Sequence, residues 1–199
     1  MFQDKREIEK ILNALGEQLD AMSAVIPELV VCGGSALNIL GFVSRTTKDV
    51  DVVAFAERLT NGSINLAKSE PLPLKLVEAM KKVSRDFDLP ENWLNPGPTS
   101  AVDFGLPEGL MERVETKKFS ASLTIHFLSR YDQICFKLYA AVDQGIGKHY
   151  NDLLLLEPNA NELEKAAQWS MSHDVSEGYR QSVKELLRHM GHEDVAERL

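Results

Sequence analysis

The chain has 199 residues, of which 22 are lysine or arginine and 30 are aspartate or glutamate, so its formal net charge is −8 at pH 7. The apolar fraction of 44% is typical of a folded globular protein, and the acidic balance argues against generic DNA binding, which relies on basic side chains. The N-terminus MFQDKREIEK lacks a signal-peptide pattern and no apolar run has membrane-spanning length, so we expect a cytoplasmic protein without a membrane partner.

Apolar spacing along the first two thirds of the chain predicts alternating helices and strands. Residues 4–22 carry apolar side chains at steps of three and four, the pattern of an amphipathic helix. In chain order we then expect a strand at ELVVCGG, a short helix at SALNILGF, a strand at DVDVVAF, a helix at PLKLVEAMKKVSRDF, a loop at DLPENWLNPGPTS, and a hairpin of RVETKKF and ASLTIHFL.

The last third of the chain predicts helices only, at 130–143, 149–156, 161–172 and 175–190. The predicted fold class is therefore α/β (α+β): an α/β core with its N-terminal helix in residues 1–128, and a helical region in residues 129–199 packed on that core. Cys32 and Cys135 each lie in an apolar segment, so we expect two buried free thiols rather than a disulfide.

Two aspartates interrupt an apolar run in the stretch VVCGGSALNILGFVSRTTKDVDVVAF. Successive strand residues point to opposite faces, so Asp49 and Asp51 are expected to project on the same side of a strand. Two adjacent carboxylates repel each other unless a positive charge lies between them. A divalent cation that prefers oxygen ligands, Mg²⁺ or Mn²⁺, supplies that charge, and phosphates commonly complete its coordination.

The glycines before these aspartates add an anion site to the pattern. Gly33 and Gly34 let the backbone approach a ligand closely, and Ser35 is expected at a helix start, where free amide groups favour an anion. A glycine turn, a helix and an acidic strand together predict a site for a metal-bound triphosphate. The alternative is an acidic strand end at the surface beside a glycine turn. That alternative would explain DVD if GGS did not precede it.

The pattern formed by Gly34, Ser35, Asp49 and Asp51 resembles the signature of the nucleotidyltransferase superfamily. More narrowly, the segments GGSALNILGF, RTTKDVDVV, LSRYDQICFKLYAAVDQG, KHYNDLLLL and ELEKAAQW are similar to a bacterial family of nucleotidyltransferase-like proteins of unknown function. That family is related to the toxins of abortive-infection, type IV toxin–antitoxin systems. The resemblance covers about residues 28–174.

The resemblance implies a mixed sheet flanked by helices, with Mg²⁺ (or Mn²⁺) bound by Asp49 and Asp51 and a triphosphate held near Gly33, Gly34 and Ser35. The implied reaction transfers a nucleoside monophosphate from a nucleoside triphosphate to an acceptor hydroxyl, with pyrophosphate as the leaving group. The acceptor stays open between a protein, a small molecule and an RNA end. An antitoxin protein is the implied macromolecular partner.

Active members of the superfamily usually carry a third carboxylate on a later strand. The corresponding segment here, ASLTIHFL, contains no acid, and His126 is the candidate that stands in its place. Histidine can act as a base near neutral pH, although a histidine with a structural role is the alternative. Asp103 is a second candidate from the preceding loop, whereas Asp132, three residues after Ser129, is explained by helix capping.

Four further polar residues are candidates for nucleotide binding. Arg45 precedes the acidic strand and suits either a phosphate or an aspartate. Lys137 flanks the apolar stripe of its predicted helix, so its ammonium group can reach a cleft, and the similar family has a lysine there. Lys148 and Asp152 lie four residues apart on the next helix, where an exposed ion pair is the alternative to a place near the nucleotide.

Two functions therefore follow from the sequence. The first is a Mg²⁺-dependent nucleotidyltransferase, which the resemblance associates with type IV toxins. The second is a catalytically degenerate protein of the same fold that binds a nucleotide or a partner, because the third carboxylate is missing.

Overall fold

The computed structural model describes residues 1–60 and 62–199, and the chain divides into two compact units, Met1–Leu128 and Ser129–Leu199. The helices of the first unit are α1 Lys5–Ala21, α2 Gly33–Ile39, α3 Leu74–Asp86, α4 Ala101–Phe104 and α5 Leu110–Arg113. Its strands are β1 Glu28–Cys32, β2 Val50–Arg58, β3 Ile64–Lys68, β4 Leu94–Asn95, β5 Glu115–Lys118 and β6 Thr124–Phe127. A 3₁₀ turn at Gly97–Ser100 follows β4.

The strands of the first unit form one mixed sheet in the order β3-β2-β1-β6-β5, with β4 beside the beginning of β2. Strands β1 and β2 are antiparallel neighbours, as the sequence predicts. Strand β6 lies parallel to β1 on the other side, and β5 and β6 form the predicted antiparallel hairpin. The predicted fold class, a mixed sheet with helices, is confirmed.

One face of the sheet carries the hydrophobic core of the first unit. Helices α1 and α3 contact each other, and their apolar stripes join this core. The sheet contributes the inward side chains Leu29, Val31, Val52, Ile125 and Phe127, all fully buried. Because side chains alternate along a strand, the residues between them, including Asp51, belong to the opposite face.

The segment predicted as a loop after α3 contains a short strand, which corrects the prediction. Trp93 is completely buried, its indole Nε1 donates to the Met80 carbonyl oxygen at 3.2 Å, and its ring meets Phe2 edge-on at 6.2 Å. These contacts hold Leu94 and Asn95 beside β2. Strand β3 was not predicted either, because its sequence INLAK lacks a clear period-two pattern.

The second unit is helical, with α6 Arg130–Gln144, α7 Lys148–Leu155, α8 Ala160–His173, α9 Glu177–His189 and α10 Glu193–Arg198. The first four were predicted and are confirmed within two residues, whereas α10 was not predicted. Ser129 accepts a hydrogen bond from the Asp132 backbone and so caps α6, as expected. Both cysteines are buried free thiols, as predicted. Within the described part of the chain, no helix combines the length and apolar composition needed to cross a bilayer.

A buried ion pair connects α6 and α7. The Lys137 Nζ atom lies 2.8 Å from an Asp152 carboxylate oxygen, and the two side chains are only 4% and 2% exposed. Burying two charges is costly, and their mutual attraction offsets that cost only while both partners are present. The burial of each charged side chain therefore depends on the presence of the other.

Lys137→Met is expected to lower the free energy of unfolding by about 3–5 kcal/mol, because it leaves the Asp152 carboxylate buried without its ammonium partner. The double variant Lys137→Met/Asp152→Leu should recover most of that loss, since it removes both charges. Urea denaturation of both variants measures the difference, with Lys165→Met on the exposed surface of α8 as the matched control. A loss for Lys137→Met no larger than that of Lys165→Met would contradict the prediction.

Candidate functional site

Asp51 lies at the start of β2, between two neighbouring strands. It pairs with Cys32, the last residue of β1, on one side and with Asn95 of β4 on the other. The carboxyl end of β1 therefore meets the beginning of β2 at this point, and the glycine turn that follows β1 starts beside Asp51. The carboxylate is half-buried and lies on the sheet face opposite the hydrophobic core.

Gly33 leaves the space that the Asp51 carboxylate occupies. Its backbone has a φ of +75°, in the left-handed region that favours glycine. A Cβ atom at this position would overlap the Asp51 Oδ2 atom and would lie 3.3 Å from the carboxylate carbon. The sequence predicted that Gly33 lets the backbone approach a ligand. The structure shows that the Asp51 carboxylate lies where a side chain at position 33 would be.

Gly34 faces a second group of polar atoms. A Cβ atom on Gly34 would lie 2.6 Å from Thr47 Oγ1 and 3.2 Å from Arg45 Nη2. Asn38 holds these parts together, because its buried side-chain amide donates to the carbonyl oxygens of Gly34 and Arg45, both at 2.9 Å. The two predicted residues Arg45 and Gly34 are thus neighbours.

Sequence reasoning missed Asn38. Its only signal was a polar side chain on an otherwise apolar short helix, four residues after Gly34, where it can reach the Gly34 carbonyl oxygen. The contact that matters most, with the backbone of Arg45, spans a turn and could not be read from spacing.

Ser35 lies deeper in α2 than predicted. The helix begins at Gly33 and has seven residues, so Ser35 is the third helical residue and not the first. Its side chain is completely buried, and neither Ser35 Oγ nor Thr47 Oγ1 has a hydrogen-bond partner among the residues that the structure describes. A buried hydroxyl without a partner costs about 1–3 kcal/mol, so these two groups beside one glycine turn are unfavourable for the stability of the fold.

Asp49 is the last residue before β2 and is half-buried. It precedes the regular strand, so strand alternation does not by itself fix its side-chain direction. Its predicted place on the same side as Asp51, and its role as a metal ligand, stay predictions.

Asn95 is a site residue that the sequence analysis did not identify. Its amide nitrogen donates to Asp51 Oδ1 at 3.3 Å, and its amide oxygen accepts the Gly97 backbone N–H at 2.9 Å. The Gly97 contact fixes the orientation, because the oxygen must face that donor and the nitrogen must then face Asp51. A neutral hydrogen-bond donor of β4 therefore faces the Asp51 carboxylate.

His126 lies on β6, and both of its ring nitrogens have partners. Nε2 is 2.7 Å from Glu28 Oε2, Nδ1 is 2.7 Å from Thr116 Oγ1, and the residue is only 2% exposed. It pairs with Val30, two residues before the level of Asp51 on β1. These bonds account for a structural histidine; the predicted catalytic role stays a prediction. Asp103, the other candidate, forms an exposed ion pair with Lys68.

The remaining candidates belong to the helical unit. Lys137 and Asp152 form the buried ion pair between α6 and α7, and the Asp152 side chain is 2% exposed, whereas the alternative interpretation of its spacing was an exposed pair with Lys148. Lys148 is exposed at the first residue of α7. Their predicted role in nucleotide binding stays a prediction.

The donor set of the first unit suits a hard cation. The side chains near Asp51 and the glycine turn offer carboxylate and hydroxyl oxygens, which Mg²⁺ and Mn²⁺ prefer. In residues 1–60 and 62–199, however, no three histidine, cysteine, aspartate or glutamate side chains gather in a group able to hold a metal ion. Binding of Mg²⁺ or Mn²⁺ by Asp49 and Asp51 stays a prediction.

A sheet in which a glycine turn lies against an acidic strand defines this chain as nucleotidyltransferase-like. Residues 6–198 match the family described as "Nucleotidyltransferase of unknown function (DUF6036)", and the chain belongs to that family. The resemblance inferred from the sequence motifs is thereby confirmed. Neither the curated proteins nor the solved structures contain a significant match.

Gly33→Ala is expected to destabilise the first unit and to displace Asp51. An alanine is strained at a φ of +75°, and its Cβ would overlap the carboxylate, so a loss of about 1–3 kcal/mol is expected from the backbone alone. Thermal unfolding measures it, with Gly41→Ala as the control, since Gly41 has a φ of +78° but open space around its Cβ. An equal loss for both variants would show that the contact with Asp51 adds nothing.

Asn95→Asp is expected to lower the melting temperature without divalent cations, because it places a second carboxylate against Asp51. Added Mg²⁺ or Mn²⁺ should then restore the melting temperature more strongly than in the unaltered protein. Asn95→Ala, which removes the hydrogen bond without adding charge, is the control. A cation response of Asn95→Asp that matches the control would contradict the placement of Asn95 at a cation site.

Proposed function

We propose that this protein binds a nucleoside triphosphate together with Mg²⁺ or Mn²⁺ at Asp49 and Asp51, and transfers the nucleoside monophosphate to an acceptor hydroxyl. The observation that carries the proposal is the approach of the Asp51 carboxylate to the glycine turn in a chain that belongs to a nucleotidyltransferase family. An acid and a close-approach backbone side by side suit a phosphate that bears a cation.

Each residue of the turn has a proposed part in binding. Asp49 and Asp51 would hold the metal ion, and the triphosphate would lie over Gly33, Gly34 and Ser35. Bound there, the metal would neutralise charge on the phosphates as the bond to pyrophosphate breaks.

The Arg45 guanidinium group is a positive charge beside Gly34, where the triphosphate would lie. Its Nη2 atom lies beside Gly34, where a guanidinium group can contact a phosphate oxygen and stabilise negative charge as pyrophosphate leaves. Asn38 contacts the backbone N–H and carbonyl oxygen of Arg45, and the Arg45 Nη1 atom donates to the Thr46 carbonyl oxygen at 3.1 Å, so both the backbone and the guanidinium group have defined positions beside Gly34.

A second function is favoured by a specific observation. Asn95 presents an amide and not an acid to Asp51, and the ring nitrogens of His126 are both engaged within the sheet. A site with two acids and no further base can bind a metal-bound nucleotide without activating a hydroxyl. The alternative is therefore a protein that binds a nucleotide or a partner without transferring a group.

The finer proposal is that the protein is the toxin of a type IV toxin–antitoxin system in the cytoplasm. It is supported only by the resemblance of the quoted sequence segments to that group. Growth arrest on induced expression, relieved when Asp51 is changed to asparagine, would support it; growth unaffected by the unaltered protein would count against it.

A nucleoside triphosphate is expected to raise the melting temperature only when Mg²⁺ or Mn²⁺ is present. Binding to the native state stabilises it by about 2.7 kcal/mol at a ligand concentration a hundredfold above Kd. Asp49→Asn and Asp51→Asn should abolish the shift while leaving the ligand-free melting temperature nearly unchanged, since each relieves carboxylate repulsion. Differential scanning fluorimetry with each of ATP, GTP, CTP and UTP measures it, and Asp143→Asn on the exposed surface of α6 is the control.

Incubation with each α-labelled nucleoside triphosphate, Mg²⁺ and cell extract then separates the two functions. Label transferred to a protein, small molecule or RNA, and lost with Asp51→Asn, supports the transferase. Cation-dependent binding without any transfer supports the binding protein. The absence of a cation-dependent shift with all four nucleotides would refute both.

A further inference from the structure

Thr47 is held in place by backbone contacts that leave its side chain unused. Its N–H donates to the Phe2 carbonyl oxygen at 3.0 Å, and its own carbonyl oxygen accepts the Phe2 N–H at 2.8 Å. Phe2 is completely buried in the core of the first unit. The backbone hydrogen bonds with Phe2 thus fix the position of Thr47 beside the glycine turn, and the threonine hydroxyl takes no part in them.

The Thr47 side chain turns its hydroxyl towards Gly34. From the position that a Gly34 Cβ would take, Thr47 Oγ1 is 2.6 Å away and Thr47 Cβ is 3.2 Å away. The oxygen is therefore nearer the glycine than the carbon that bears it. The residue is 2% exposed, and its Oγ1 has no hydrogen-bond partner in the part of the chain that the structure describes.

A hydroxyl in this state is unfavourable for the fold alone. Burying it without a partner costs free energy that a methyl group of the same shape would not cost. Since the backbone contacts with Phe2 do not involve the side chain, valine at position 47 would keep them. The fold does not need the Thr47 hydroxyl, which lies beside Gly34. A hydrogen-bond partner from outside the chain would explain why a polar group is present there.

Resting on the proposed function, we propose that Thr47 is a phosphate-binding residue: its hydroxyl donates a hydrogen bond to an oxygen of the triphosphate held over Gly34. Arg45 Nη2 and Thr47 Oγ1 both lie within 3.2 Å of the position that a Gly34 Cβ would take. A phosphate oxygen bound beside Gly34 would meet a positive charge and a hydroxyl donor together. Thr47 is not among Gly34, Ser35, Asp49 and Asp51, although it lies within the segment RTTKDVDVV.

The test compares Thr47→Val, Thr47→Ser and the exposed neighbour Thr46→Val, using each of the four nucleoside triphosphates with Mg²⁺ and, separately, inorganic tripolyphosphate with Mg²⁺. Thr47→Val should weaken binding of both kinds of ligand by about 10- to 100-fold, the effect of losing a hydrogen bond to a charged group. The same variant should raise the ligand-free melting temperature by about 2–4 °C, since it removes an unsatisfied buried hydroxyl. Thr47→Ser and Thr46→Val should bind as the unaltered protein does.

The outcomes separate this inference from the function on which it rests. If the unaltered protein binds a nucleotide with Mg²⁺ but Thr47→Val binds it equally well, the inference is overturned and the proposed function stands. Weaker nucleotide binding with unchanged tripolyphosphate binding would also overturn it, because the contact would then not be to phosphate. A lower ligand-free melting temperature for Thr47→Val would show that the hydroxyl serves the fold. If the unaltered protein binds neither ligand, the proposed function and this inference fall together.

Discussion

The arrangement of the site depends on the close approach of Gly33 to Asp51. The turn after β1 can pass beside the acidic strand only because residue 33 has no side chain and a left-handed backbone. The pairing of Cys32 with Asp51 sets the level at which this happens. Any side chain at position 33 would push either the turn or the carboxylate away, and the acid would no longer lie against the turn.

Two contacts from outside the motif hold the rest of the site against this turn. Asn38 ties α2 to the backbone of Arg45, and Phe2 pairs with Thr47. The segment between α2 and β2 is therefore not a free loop, since its polar side chains are presented to Gly34 from a supported backbone. In this region the buried hydroxyls of Ser35 and Thr47 have no hydrogen-bond partner among the described residues. Such groups lower the stability of the fold, and departures of this kind are expected at functional sites.

The neighbours of the candidate acidic residues are neutral or paired. Asp51 has an amide neighbour in Asn95, which donates a hydrogen bond to its carboxylate and adds no charge. In the helical unit, Lys137 and Asp152 neutralise each other in a buried pair. The family match extends over residues 6–198 and so covers residues of both units.

Local pattern determined much of this protein: the helices with a regular apolar stripe, the strands on either side of the glycine turn, the hairpin, and the glycine and aspartate positions of the motif, because each depends on residues near one another in the chain. Tertiary structure decided what depends on distant partners. Strand β4 exists because Trp93 is buried against α3 and Phe2, and only that strand brings Asn95 to Asp51. Thr47 reaches Gly34 through Phe2 in the same way, since no spacing rule relates residues that meet only when the sheet has formed.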